Sequence, residues 1–171
     1  ILDAPINAAM LESSGVDVGF DASYALQGST IRANVLWSHF LDYERKSFPG
    51  DDPFDLVGRY TGSSFAEDKA NFLLSWTWND LRVTYLGEYI GGLTSPVSFL
   101  GSYEQDVDSQ FYHDIVVEYN FGMTGTTVQA GITNFTDEAP PYIDLAFNAS
   151  TDPSTYRVFG QGYYIRIRQS F

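Results

Sequence analysis

Two histidines, one acidic loop and a set of alternating charges are the residues of this chain that could do chemistry. The histidines are His39 and His113. His113 is followed by Asp114, a pair that could serve a general base if the two side chains met. Adjacent residues of an extended segment point to opposite faces, so they cannot converge. No further group completes an acid–base set, and an enzyme is not expected. The run Asp51-Asp52-Pro53-Phe54-Asp55 puts carboxylates at close spacing, as a hard cation would want. It lacks the glycine and the ligand spacing of a known calcium loop, and it reads as a solvated polar loop. Asn134-Phe135-Thr136 and Asn148-Ala149-Ser150 have the pattern of glycosylation acceptors. No cofactor and no metal site are expected.

The remaining charges are better organised. Asp17, Asp21, Asp42, Glu88, Asp114 and Glu118 share one parity of their segments with Arg32, Arg82, Arg166 and Arg168. They form either a cross-strand charge ladder or a set of contacts for a polar solute. Of these, Arg32, Arg82, Glu88, Asp114 and Glu118 are the candidate ligand contacts. Tyr103, Tyr142, Phe147 and Tyr156, in the connections between segments, could stack on a sugar or an aromatic chelator.

Those charges depend on the elements that carry them, and period two dominates the chain. Val16, Val18, Phe20, Ala22, Tyr24 and Leu26 alternate with polar residues. So do Ile31, Ala33, Val35, Trp37, Leu41 and Tyr43, then Ala70, Phe72, Leu74, Trp76 and Trp78, then Leu81, Val83, Tyr85 and Tyr89. Phe111, Ile115, Val117, Tyr119 and Phe121 follow, then Val128, Ala130 and Ile132, and last Tyr163, Ile165, Ile167 and Phe171. About seven strands are predicted. Short turns at Gln27-Gly28-Ser29, Asn79-Asp80 and 122–125 alternate with long loops at about 44–68, 91–109 and 136–160. An up-and-down antiparallel sheet then has all its short turns at one end. Tyr24, Trp76, Trp78, Tyr119, Phe121 and Phe171 fall at the short-turn end of the apolar parity. Tyr43, Tyr89, Phe111 and Tyr163 fall at its long-loop end.

Composition narrows the class. The chain has 171 residues, 22 acidic against 9 basic, and no Cys. Phosphate binding along a nucleic acid needs a basic footprint, so no nucleic-acid partner is expected. A disulfide framework is excluded. No apolar run reaches the roughly 18 residues of a membrane helix. The opening ILDAPINAAMLESSG has neither a basic nor an apolar region of a signal peptide. Alternation alone fits a soluble β-sandwich, whose apolar parity faces a core. It also fits an outer-membrane barrel, whose apolar parity faces lipid. Strand length, the asymmetry of turns and loops, and the two aromatic bands favour the barrel.

Particular stretches then carry a resemblance. ITNFTDEAPP (132–141) resembles the segment near the C-terminus of TonB-dependent outer-membrane receptors, with Phe135-Thr136 where Leu-Phe is usual. DPSTYRVFGQGYYIRIRQSF (152–171) resembles their final loop and last strand with its closing aromatic. ESSGVDVGFDASYAL resembles a strand opening of their barrels. The resemblance implies a barrel of twenty-two strands around a plug, of which residues 1–171 would be the C-terminal portion. Neither the plug nor the TonB box has a counterpart here. Seven strands cannot close a lumen, and open edges in lipid leave backbone groups unpaired. A nicked or incomplete form of a longer receptor is therefore expected, or one chain of a split receptor. The implied function is energised uptake of a siderophore, oligosaccharide or similar nutrient. The partners would be the rest of the receptor, the TonB system and outer-membrane lipid. The long loops would be extracellular, and the short turns and C-terminus periplasmic. In a bacterial outer membrane the glycosylation patterns carry no meaning. The alternatives are a passive porin or structural barrel, and a soluble β-sandwich binding module.

Overall fold

The computed structural model describes residues 10–96, 104–147 and 149–170. It is all-β, with no helix among the described residues. In chain order the strands are β1 (Met10–Leu26), β2 (Ser29–Lys46), β3 (Phe54–Asp55), β4 (Arg59–Tyr60), β5 (Ser64–Phe65), β6 (Asp68–Trp78), β7 (Leu81–Ile90), β8 (Leu93–Pro96), β9 (Glu104–Val107), β10 (Gln110–Phe121), β11 (Thr126–Thr133) and β12 (Gly162–Gln169).

Seven of them make one antiparallel sheet in the order β1-β2-β6-β7-β10-β11-β12. These are the seven strands the alternation predicts, each beside its neighbour in sequence. The short connections close where the backbone can turn tightly. Gly28 (φ 72°), Asn79 (φ 49°) and Gly125 (φ 67°) take the left-handed conformation there, which Gly and Asn adopt at least cost.

Register carries the parity across the whole sheet. Tyr24, Ile31, Trp76, Val83, Val117, Ala130 and Ile165 stand side by side, one from each strand. One residue along, Ser23, Arg32, Ser75, Thr84, Val116, Gly131 and Tyr164 form the neighbouring rank on the other face. A one-residue slip in any strand would move its apolar set to the wrong face. The apolar face is open to the surroundings: Phe20, Tyr24, Trp76, Trp78, Tyr119, Phe121, Ile165 and Ile167 are all exposed, Ile165 by 75%.

The buried core lies on the opposite, polar face, at the long-loop end. Ile90 and Tyr112 rise from the sheet, and Tyr60, Ala66, Leu93, Val107, Ile143, Ala146 and Tyr156 descend on them from the connections. Two of the segments expected to be plain loops therefore hold structure. β4, β5, β8 and β9 assemble a second sheet in the order β5-β4-β8-β9, and β3 pairs with β2. Strands of two to four residues are too short for period two to reveal.

One aromatic expected at the long-loop rim of the apolar face is placed elsewhere. Between Ser14/Gly15 and their partners on β2 the register shifts, so that Ser14 meets Asp42 and Gly15 meets Phe40. Leu41 is the extra residue of a β-bulge, which reverses parity beyond it. Tyr43 thus falls on the side of Phe40, stacking on it with ring centroids 5.5 Å apart and meeting the Phe65 ring at 4.9 Å. It packs under the loops instead of joining the apolar rim. Phe171, expected in the opposite band, lies outside the described residues.

Candidate functional site

The polar face is where the charged residues gather, and its long-loop half is closed by the chain's last connection, residues 134–161. Both ends of that connection are tied together. Asn134 is buried with φ 48°. Its side chain donates from Nδ2 to Glu138 O and accepts from Glu138 N, closing a turn. Asp137 Oδ1 accepts from Gln161 N, and Gln161 Nε2 donates to Phe135 O. The stretch NFTDE is thus a clasp that brings the loop's exit back to its entry.

From the clasp the loop reaches over the sheet and delivers Arg157. Its Nε donates to Glu88 Oε2 at 2.9 Å, and its NH1 donates to Asp114 Oδ1 at 2.7 Å. The guanidinium also lies over the Tyr112 ring, 5.1 Å from its centroid. Asp114 Oδ1 accepts in addition from Asn134 N. Burial alone would favour neutral guanidine, but the two carboxylates outweigh it and hold Arg157 more firmly protonated. Charge-assisted bonds of this kind are about twice as strong as neutral ones.

A second tie joins this loop to the small sheet. The Asp152 carboxylate is buried and accepts from Ser64 N at 2.7 Å, and from the backbone and hydroxyl of Ser154. Burial would raise its pKa, and these hydrogen bonds overcome that and bring it below the ordinary value. Beside it, burial pushes the Tyr156 phenol up to about 12, with the Asp152 charge adding to the shift.

The predicted site residues separate accordingly. Glu88 and Asp114 are brought together, through Arg157, which the sequence pattern did not single out. Arg82 and Glu118 are also neighbours, with NH1 3.7 Å from Oε1. Arg32 lines one groove with Arg82, away from the Arg157 cluster. Of the loop aromatics, Tyr142 and Phe147 are exposed, Phe147 by 98%. Tyr156 is only 2% exposed and belongs to the core, so it offers no surface to a ligand in this arrangement. Tyr103 lies outside the described residues.

The histidines stay on the apolar face. His113 packs against Phe111, Phe135 and Tyr85, with the Tyr85 hydroxyl 2.8 Å from Nδ1. Asp114, next in sequence, points away to Arg157. His39 stacks on Trp37 and lies 3.0 Å from Asp68 Oδ1, which also accepts from Trp37 Nε1. In the acidic run, Asp51 and Asp55 accept from the nearby Phe48 and Val57 N–H groups. Carboxylates used this way make turns. No group of three or more metal-ligating side chains is assembled among the described residues.

Comparison with known proteins finds no matching family model, no matching curated protein and no matching solved structure.

Proposed function

We propose that this chain forms part of the wall and mouth of a TonB-dependent receptor in the bacterial outer membrane, which takes up a scarce nutrient with energy passed through TonB. One observation supports the reading above the others: a seven-strand up-and-down sheet leaves most of its apolar parity exposed or half-exposed on one face, Ala70 being the buried exception, while packing its core on the polar face. A soluble sheet buries its apolar side and wets the other. Here the arrangement is reversed, as it is in a membrane barrel.

The dimensions agree with a bilayer. From Val16 to Leu26 the apolar stretch of β1 runs about 33 Å, or about 25 Å in height when tilted by about 40°. The bulge at Gly15 and Leu41 sits at its outer limit, and beyond it come Glu12, Ser13, Ser14, Asp42 and Glu44. At the short-turn limit stand Trp76 and Trp78, stacked at 6.2 Å, and Tyr119 and Phe121, with centroids 4.7 Å apart. Aromatic rings with a polar atom suit the membrane interface. β1 and β12 each have one neighbour in the sheet, and further strands of the receptor would pair with their free edges. The polar face becomes the lumen wall, and the 134–161 loop, pinned by Arg157, narrows its outer mouth. Glu88 and Asp114 then anchor that loop, while Tyr142 and Phe147 stay available to a nutrient outside.

The reading is tested by locating the protein and its energy source. Cells carrying it should hold it in the outer membrane, extractable with detergent only, and solute uptake should stop when TonB is removed. Uptake that continues without TonB would favour a passive porin. Release into buffer without detergent would favour a soluble module.

A further inference from the structure

We infer that the short-turn half of the polar face holds a binding site for a small oxyanion, a carboxylate- or phosphate-bearing solute, seated between Arg32 and Arg82. The two arginines line one groove of about 430 Å³ together with Thr30, Leu73, Ser75, Thr77 and Thr84. Register explains why. Arg32 stands beside Ser75 and Ser75 beside Thr84, while Thr30 stands beside Thr77 and Thr77 beside Arg82. The arginines are thus two strands and two residues apart, about 12 Å between Cα atoms from strand spacing and rise. Their side chains can close on a group lying over Ser75 and Thr77.

The charges on this patch do not balance. Arg82 donates to Thr77 Oγ1 at 3.3 Å and has Glu118 at 3.7 Å. That leaves its outer edge free, since more than half of the side chain is exposed. Arg32 has no carboxylate within 4.0 Å among the described residues. Arg32 thus makes no ion pair, and its next acidic neighbour on this face is Asp21, diagonally across on β1 beside Asn34. An anion seated between the two arginines would be attracted by both guanidinium groups. Two guanidinium forks ringed by hydroxyl donors are the chemistry of oxyanion recognition. A neutral solute would leave the arginines unused, and a cation would be repelled. The site lies apart from the Arg157 cluster, and it stands whether the far face of the sheet meets lipid or another protein layer.

The test uses the full-length protein containing this chain, purified in detergent. Inorganic phosphate, acetate and glucose are titrated by calorimetry at low salt. Phosphate and acetate should bind saturably and glucose should not, with affinity falling as salt rises. Arg32→Gln should weaken phosphate binding about tenfold, as expected for losing one charge-assisted hydrogen bond. Glu118→Gln should strengthen it, because Arg82 loses its competitor. Arg32 makes no ion pair, so its variant should keep the wild-type strand signal by circular dichroism. The proposal is overturned if phosphate shows no saturable binding, if glucose binds as well, or if Arg32→Gln and Arg82→Gln bind like the wild type. It is equally overturned if an acidic side chain of the protein's own remaining sequence is found between the two arginines.

Discussion

At the scale of single residues, Arg157 does the most to fix the arrangement. It neutralises two carboxylates that the sheet holds on one face, and it fastens a loop of nearly thirty residues to that face. Arg157→Met keeps the bulk and removes the charge, leaving Glu88 and Asp114 facing each other. The loop should then open more readily by about 1–3 kcal/mol, read as faster hydrogen exchange or proteolysis within 134–161. Adding Glu88→Gln and Asp114→Asn to that variant should restore part of the loss. Asp152 makes the same loop sensitive to acid. Its folded pKa lies below the ordinary 3.8. Its stabilising effect is therefore complete above that value and is lost as pH falls through the folded pKa. Tyr156 acts in the opposite direction. Its folded pKa of about 12 exceeds the ordinary 10.0, so its contribution is full below pH 10 and lost as pH rises toward 12. Protection of the loop amides, taken relative to their intrinsic exchange at each pH, should fall at both extremes and be greatest between them, and Asp152→Asn should remove the acid limb alone. Parity was enough to place Glu88 and Asp114 on the polar face. It could not place Arg157, because a loop has no period, and its partners come from 69 and 43 residues away in sequence.

At the scale of elements, alternation located all seven long strands, since each puts its apolar residues on one face over eight or more positions. It failed where an element breaks the period. The bulge on β2 inserts Leu41, and reading period two straight through it put Tyr43 on the wrong face. Gly15 is the other half of that bulge: a Cβ there would come within 2.7 Å of His39 O. Backbone cannot yield as a side chain does, so Gly15→Ala should cost about 1–3 kcal/mol and lower the melting temperature. Gly131→Ala offers a contrast. Its Cβ would meet the Tyr164 ring at 2.4 Å, because that ring covers the bare backbone of its cross-strand neighbour. Gly131→Ala should be destabilising with Tyr164 in place and nearly neutral combined with Tyr164→Ser, as a double-mutant cycle would show. The small sheet over the long-loop end was hidden for a different reason. Its strands pair through backbone in a folded loop, and two to four residues carry no readable pattern.

At the scale of the whole molecule, the sheet has one apolar and one polar face, with its core confined to one end of the polar face. That arrangement follows from alternation plus register, and the sequence showed the alternation without showing which solvent each face meets. If the apolar face lies in lipid, Val117→Arg at the middle of β10 should destabilise the assembled protein by about 2–4 kcal/mol, measured by denaturant unfolding from liposomes. On a water-exposed face the same change should cost little. The most direct test of the account is a scan of β10 with single cysteines from Ile115 to Asn120, each spin-labelled in the full-length protein in liposomes. The chain has no cysteine of its own to interfere. Labels at Ile115, Val117 and Tyr119 should collide preferentially with dissolved oxygen, which concentrates in lipid. Labels at Val116, Glu118 and Asn120 should collide preferentially with a water-soluble nickel chelate, giving a strict period of two. Equal access to the chelate on both parities, or shielding of the apolar parity from both reagents, would contradict a lipid-facing sheet.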